Sequence, residues 1–328
     1  MPASSPTRPQ ADAPSLTVAI PNYNGRPLLE QMLPTLVAQT FAPFEIVIVD
    51  DGSSDDSCAW LRASWPRVRL VEHGRNRGIT AALNTCLAEA HTELVALLNN
   101  DLELDPGFLA ALVAAMREHP HAGSAAGKLI DYHRRELLDG AGDVLLWRGH
   151  GHRRGHGERD RGQYDRPQPI FGACAGAAVY RRAALADVGL FDASLEAYFE
   201  DVDWSLRAQL AGWECRYEPR AVAYHMGSAT VGAGLGDFTR YHLWRNGPWV
   251  LAKSLPLGLI LRHLHQLALG QAINLAVAVR DRKLGIWRRS LRDCLRGMPA
   301  VLRERRVLQR TRRRSTAELA AVIDAREG

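Results

Sequence analysis

Cysteine is scarce in this 328-residue chain: five residues, Cys58, Cys86, Cys174, Cys215 and Cys294, none of them in a C-x-x-C pair. An odd, scattered set gives neither a disulfide framework nor zinc-ligand spacing, so reduced and mostly buried thiols are expected. Long apolar runs are missing too. The longest, residues 255–279, is broken by Arg262, His263, His265, Gln266, Gln271 and Asn274, whereas a spanning helix needs about 20 apolar residues. Residues 1–14, rich in Pro, Ala and Ser, lack the apolar segment of a signal peptide and read as a disordered leader. No repeat of fixed period is visible. A cytoplasmic protein follows, peripheral at most on the inner face of the plasma membrane.

A large charge excess is also lacking over most of the chain. Lys and Arg total 41 against 36 acids, a net +5, yet residues 280–314 hold fourteen basic and three acidic side chains, a local +11 that leaves −6 elsewhere. A basic tail on a mildly acidic body suits an anionic surface. It does not suit nucleic acid, because Trp287 is the segment's one aromatic on which a base could stack. With 46% hydrophobic and 23% charged residues, the chain as a whole has the make-up of one large globular domain plus an appendage.

What is present is an alternation of short β-rich runs with helical patterns. Residues 16–20, 44–49, 68–71 and 94–98 read as strands, the second almost continuously apolar, as suits a strand buried on both faces. Helical spacing recurs over 28–37, where Pro34 predicts a kink or a late start, and over 79–90 and 108–117. This order predicts an open α/β sheet with ligands at the carboxyl ends of its strands. Later, 173–180 reads as a strand, 201–211 as a helix that starts in acids, 213–217 as a strand, and the chain beyond Trp249 as helical. Residues 147–169 are polar and glycine-rich and predict a mobile loop, with His150, His152 and His156 solvated rather than metal-bound. The G-x-G-x-G run at 232–236 lacks a strand-to-helix setting and reads as a flexible acceptor-side loop, not a dinucleotide fingerprint.

Three strands run directly into polar clusters: Pro21-Asn22-Tyr23-Asn24-Gly25, Asp50-Asp51-Gly52-Ser53-Ser54 and Asn99-Asn100-Asp101. Any one of these could be turn punctuation. Three at three carboxyl ends converge on one crevice.

In that order these motifs resemble family 2 of the nucleotide-sugar glycosyltransferases, which have the GT-A fold, a Rossmann-like, open, mostly parallel sheet with flanking helices. Gly189-Leu190-Phe191-Asp192, Tyr198-Phe199-Glu200-Asp201-Val202-Asp203-Trp204 and Val222-Ala223-Tyr224-His225 with Gly227-Ser228-Ala229-Thr230 extend the likeness to the branch of bacterial rhamnosyltransferases and galactofuranosyltransferases. It covers roughly residues 16–249. A catalytic domain over 15–250 is implied, with a nucleotide-sugar half over about 15–130 and an acceptor half over about 131–250, followed by a helical, amphipathic, basic segment at 251–328.

By resemblance, Pro21, Asn24 and Asp51 lie along the nucleoside, the Asp51 carboxylate accepting from the pyrimidine edge, and Asn76, Gly78 and Asn84 form the donor-side loop and helix start. Gly78 serves equally as a helix cap. Asn99-Asn100-Asp101 takes the place of the Asp-x-Asp motif, with Asn99 replacing its first aspartate. Asn100 and Asp101 then face the donor, and Asp101 with His225 would hold Mg²⁺ or Mn²⁺. Glu200, Asp201 and Asp203 crowd three carboxylates at a helix start. Like charges in a cleft raise one member's proton affinity and make it a usable base; the resemblance makes it Asp201, with Glu200 in reserve and Asp203 positioning the helix. The implied reaction is inverting transfer from a dTDP- or UDP-sugar, rhamnose among the candidates, to a glycan or lipid-linked hydroxyl. The alternative, prompted by Asn99, is a catalytically silent relative that binds glycan or acts as a scaffold.

Overall fold

The computed structural model describes residues 16–227 and 236–324. The first half alternates β1 (Leu16–Asn22), α1 (Arg26–Val37), β2 (Glu45–Asp50), α2 (Ser57–Ser64), β3 (Arg69–Glu72), α3 (Ile79–Glu89) and β4 (Leu94–Leu98). These four strands pair in parallel in the order β3-β2-β1-β4. Their side chains alternate between two buried layers, which explains the nearly unbroken apolar runs. Val18, Ile20, Ile48 and Ala96 pack with α1, while Ala19, Val47, Val49 and Val95 pack with α3. Helix α1 starts at Arg26 and runs through Pro34, which has no N–H to offer the Glu30 carbonyl; both residues lie on the solvent-exposed side of the helix.

Next come β5 (Leu102–Leu104), α4 (Phe108–Glu118), β6 (Ala122–Asp131), β7 (Leu138–Gly140), β8 (Asp143–Leu146), β9 (His150–Arg153), β10 (Gln168–Ile170), β11 (Ala177–Arg181), α5 (Arg182–Val188), α6 (Glu200–Leu210) and β12 (Glu214–His225). Beyond β4 the sheet becomes mixed, in the order β4-β11-β6-β12-β10, with β5 antiparallel to β12 and β7 to β6. The strand expected at 213–217 is the start of the twelve-residue β12.

Residues 147–169 are not a free loop. Strands β8 and β9 form a hairpin, Lys128 pairs with Asp160 at 3.0 Å and with Asp165, and the Arg154 guanidinium lies 4.9 Å from the Tyr164 ring and 4.8 Å from the Tyr217 ring. Composition hid this because polar residues here fasten to one another across the sheet edge instead of filling a core. His150 bonds Asn274 and His156 the Asp139 carbonyl.

The C-terminal part is α7 (Asp237–Ser254), α8 (Leu257–Arg262), α9 (Leu264–Arg280), α10 (Leu284–Thr311) and α11 (Thr316–Asp324). A third core joins it to the sheet domain: Phe199, Val202 and Leu206 meet Val250, Leu251, Leu255, Leu259, Leu319 and Ile323. All five cysteines are free. Among the described residues no helix is long and apolar enough to cross a membrane. The expected leader at 1–14 and most of the glycine run at 232–236 lie outside the described residues, as do Ser228, Ala229 and Thr230.

Candidate functional site

Strand register brings the polar clusters together. Asn22 stands opposite Asp50 at the carboxyl ends of β1 and β2. Asn22 Nδ2 donates to Asp50 Oδ2 at 2.8 Å, and Asn100 Nδ2 donates to Asn22 Oδ1 at 2.9 Å. One amide thereby ties three strand ends into a single crevice floor. Asn24, in the left-handed region at φ 48°, accepts from Ser54 N at 2.7 Å and Asp55 N at 3.2 Å, holding the first two loops against each other. Pro21 is buried within β1.

Asp51 is buried and organises the neighbouring loop. Its carboxylate accepts from Gly78 N at 2.9 Å and Arg77 N at 3.0 Å, and lies 2.6 Å from His73 Nδ1. Two glycines make this approach possible: Gly52 has φ +75° and a Cβ there would meet the Arg75 backbone at 2.4 Å, while Gly78 opens α3 at φ +89°. Asn76 Oδ1 accepts from Gly78 N at 3.0 Å. Asn84 points elsewhere and clasps the backbone of Phe191 by two bonds of 2.9 Å.

The two candidate metal ligands do meet. Pairing of β5 with β12 sets His225 opposite Leu102, and His225 Nε2 lies 3.3 Å from Asp101 Oδ2. Cis donors of an octahedral ion at about 2.1 Å stand about 3 Å apart, so the spacing suits one small cation. Asp101 Oδ1 is buried without a partner, a carboxylate oxygen of the type such an ion would engage. On its other side His225 Nδ1 is 2.9 Å from Asp139 Oδ2, the carboxylate–imidazole arrangement that orients metal-binding histidines. Burial alone would lower the His225 pKa, but the bonds to Asp101 and Asp139 outweigh it and push it up to about 9; a cation must therefore displace that proton.

A second group of acids gathers at the start of α6. Asp143, Cys174 and Asp201 offer polar atoms within 4.8 Å of one another. The Cys174 thiol is pushed up to about 12, by burial first, so it keeps its proton and makes this a poor donor set for a hard ion. Glu200 is buried with Oε2 unpartnered; burial, then the Asp201 charge, lifts it to about 8. Asp201 is raised by burial, while the Val202 and Ala175 amides and the Arg153 charge oppose the rise. Asp203 is turned away, 2.7 Å from Arg207 and 2.8 Å from Lys253. The crowded carboxylates are thus Glu200, Asp201 and Asp143, not Glu200, Asp201 and Asp203 as the sequence suggested.

Sequence reasoning missed four contributors. Asp139 and Asp143 sit in Leu138-Asp139-Gly140-Ala141-Gly142-Asp143, whose glycines are the one visible cue. Arg153, from the stretch read as a mobile loop, pairs with Asp139 and acts electrostatically on both Asp143 and Asp201. Asn246, wholly buried inside α7, donates to the carbonyls of Leu195, Ala197 and Tyr198 at 2.9, 2.8 and 2.9 Å. It thereby holds the segment in which Glu196, Tyr198 and Phe199 have φ of 63°, 62° and 70°, the strained approach to Glu200 and Asp201.

Residues 17–189 match the model of the family described as glycosyl transferase family 2. The N-acetylglucosaminyl-diphospho-decaprenol L-rhamnosyltransferase of Mycobacterium tuberculosis is 27% identical over 326 residues, covering 91% of this chain and 96% of that protein. An uncharacterised protein of Sinorhizobium fredii is 30% identical over 237 residues, 68% of this chain, which spans only 26% of that relative's length. Among solved structures, Staphylococcus aureus TarS 1–349 in complex with UDP-GlcNAc superposes with a TM-score of 0.58 at 19% identity over 95% of this chain and 91% of TarS. The mannosyltransferase PcManGT from Pyrobaculum calidifontis, in complex with GDP-Man and Mn²⁺, gives 0.52 at 19% identity over 97% of this chain and 91% of that one.

Proposed function

The chain belongs to glycosyl transferase family 2 and has the GT-A fold, and from that premise we propose that this glycosyltransferase inverts the anomeric centre as it moves a hexosyl or deoxyhexosyl group, rhamnose foremost, from a dTDP- or UDP-sugar to a hydroxyl of a lipid-linked glycan. The preference for rhamnose and for a lipid-linked acceptor rests on the mycobacterial rhamnosyltransferase, similar along nearly its whole length.

The observation that carries the reading is the division of labour at the start of α6. At neutral pH Glu200, at about 8, keeps its proton. Asp201 is also raised by burial, but two backbone amides and Arg153 oppose that rise, so of the pair we assign Asp201 as the base. A carboxylate in that role can take the acceptor hydroxyl's proton as its oxygen attacks. A single displacement with one base inverts the anomeric carbon.

Linked to this group through Asp139 and Arg153, Asp101 and His225 would hold Mg²⁺ or Mn²⁺, which would offset the charge of the departing diphosphate; the solved neighbour with GDP-Man and Mn²⁺ supports that reading. Asn22, Asn24 and Asn100 fix the crevice floor, and Asp51 shapes the loop of Asn76 and Gly78 beside the nucleoside. Incubation of purified protein with dTDP-rhamnose and a panel of UDP- and GDP-sugars, with a polyprenyl-diphosphate-linked acceptor and Mn²⁺, tests the reading. Transfer with inverted anomeric configuration by NMR is expected. Retained configuration, or glycan binding with no transfer from any donor, overturns it.

A further inference from the structure

Helix α9 is built inside out. Its buried residues are Gly270, Asn274 and Ala278, small or polar because the helix lies against backbone: a Cβ at Gly270 would meet the Arg148 carbonyl oxygen at 1.9 Å, and Asn274 bonds His150 at 3.1 Å. Its outward face carries Leu264, Ala268, Leu269, Ala272, Leu275, Ala276 and Val279, interrupted by His265 and Gln271 alone and by no charged residue. At 3.6 residues per turn these positions span about 160° of the helix surface. Leu264 is 55%, Leu269 52% and Val279 60% exposed, and Leu257 and Leu261 of α8 are 61% and 62% exposed just before it. A contiguous apolar face of this kind marks an interaction surface.

The next helix supplies the complementary chemistry. On α10, exposed Leu291, Leu295 and Leu302 share one stripe, and Arg288, Arg292, Arg296, Arg303 and Arg306 form the stripe beside it. Arg292 and Arg296 share Asp293, whereas Arg288, Arg303 and Arg306 form no ion pair among the described residues. Arginines flanking a leucine face suit a boundary where an apolar layer meets anionic groups, with the long side chains reaching outward. A second copy of the chain would instead bring two such cationic segments together.

We infer that the outward faces of α8, α9 and α10 form a docking surface for an anionic lipid bilayer. The surface is fastened to the crevice. Trp249 Nε1 of α7 donates to the Cys294 carbonyl of α10 at 2.8 Å, and the Trp249 ring lies against Gly297. One turn earlier, Asn246 of the same helix holds the segment that leads to Glu200 and Asp201. The bilayer therefore presents a lipid-linked acceptor at a fixed height relative to the crevice. This deepens the proposed lipid-linked acceptor and rests on it, but the binding is measured without donor or acceptor.

The test is co-sedimentation of the full chain with vesicles of phosphatidylcholine alone or mixed with phosphatidylglycerol. Binding is expected to the mixed vesicles only. It should weaken as salt rises from about 0.1 M to about 1 M, where the screening length falls from about 10 Å to about 3 Å. Leu264→Glu with Leu275→Glu, both exposed and so compatible with folding, should lower it about tenfold or more, as should Arg288→Glu with Arg306→Glu. Equal binding to neutral vesicles, or unchanged binding by the leucine variant, would each overturn the inference, as would a wild-type dimer in sedimentation velocity that this variant abolishes while it still binds vesicles. Transfer to a water-soluble acceptor by the leucine variant separates the two readings: wild-type turnover with lost vesicle binding supports the docking surface, and unaltered vesicle binding refutes it whatever the turnover.

Discussion

His225 Nδ1 lies 2.9 Å from Asp139 Oδ2, while Nε2 of the same ring faces Asp101 at 3.3 Å. One imidazole therefore stands between a carboxylate that fixes its orientation and one whose second oxygen is buried and unpartnered. If Asp139 acts by orienting His225, Asp139→Asn should raise the Mn²⁺ concentration for half-maximal activity by about tenfold to a hundredfold, the usual effect of removing such a partner. Turnover at saturating metal should change far less. A metal titration that superimposes on wild type would show that the contact only stabilises the fold.

Asp201→Asn should reduce turnover by about a hundredfold or more with donor affinity nearly unchanged, because a general base acts on the acceptor and not on the nucleotide. Single-turnover transfer and calorimetry with the nucleoside diphosphate read the two quantities separately. Glu200→Gln should be much milder, since Glu200 already carries a proton at neutral pH. The reverse ranking would exchange their roles.

How far the sequence could lead to this site depends on what kind of information each residue carries. The strand ends, from Asn22 to Asp50 and Asn100, were legible because buried parallel strands write unbroken apolar runs, and a sudden polar residue marks where each stops. Asp101 and His225 are 124 positions apart in the sequence, and only the β5–β12 pairing, set by three-residue β5, brings them together. Nothing periodic announces a strand that short. Arg153 was lost for a different reason: its stretch resembles a loop in composition, and the ion pairs that fix it join residues tens of positions apart. Asn246 sits in a helix whose partner is an irregular segment, and a helical pattern says nothing of the carbonyls it must satisfy.

The buried acids should also set the pH dependence of stability. Glu200 rises from an ordinary 4.5 to about 8 in the folded chain, so between those values the folded state binds more protons than the unfolded one. Its contribution is complete below about pH 4.5 and is lost as pH climbs through about 8. Asp143, raised by burial and then by the Asp201 charge, acts in the same direction. Thermal melts of wild type should therefore fall from pH 5.5 to pH 8.5, and Glu200→Gln should flatten that decline by about 2 °C or more, given the few degrees per kcal/mol of a chain this size. A variant whose decline matches wild type would show that Glu200 is not protonated in its pocket.

Asn246 offers the sharpest separation between holding the site and performing its chemistry. Its amide serves three carbonyls in a segment where Glu196, Tyr198 and Phe199 all occupy the left-handed region, a conformation that persists only where the surroundings enforce it. Asn246→Ala removes the side-chain donor to the Ala197 and Tyr198 carbonyls, while Leu195 keeps Arg245 and the Ala197 amide, so a loss of about 1–3 kcal/mol in unfolding free energy is expected for the lost partner. The relaxed segment should then carry Asp201 away from its amide contacts, and turnover should fall while the Mn²⁺ titration, governed by Asp101 just before β5, His225 on β12 and Asp139 on β7, stays as in wild type. Asn246→Asp replaces the donors with acceptors facing the same carbonyls and should be worse than alanine in both stability and turnover. If alanine lowers stability by the expected amount and turnover per folded molecule is unchanged, the strained segment is a feature of the fold with no bearing on the position of Asp201.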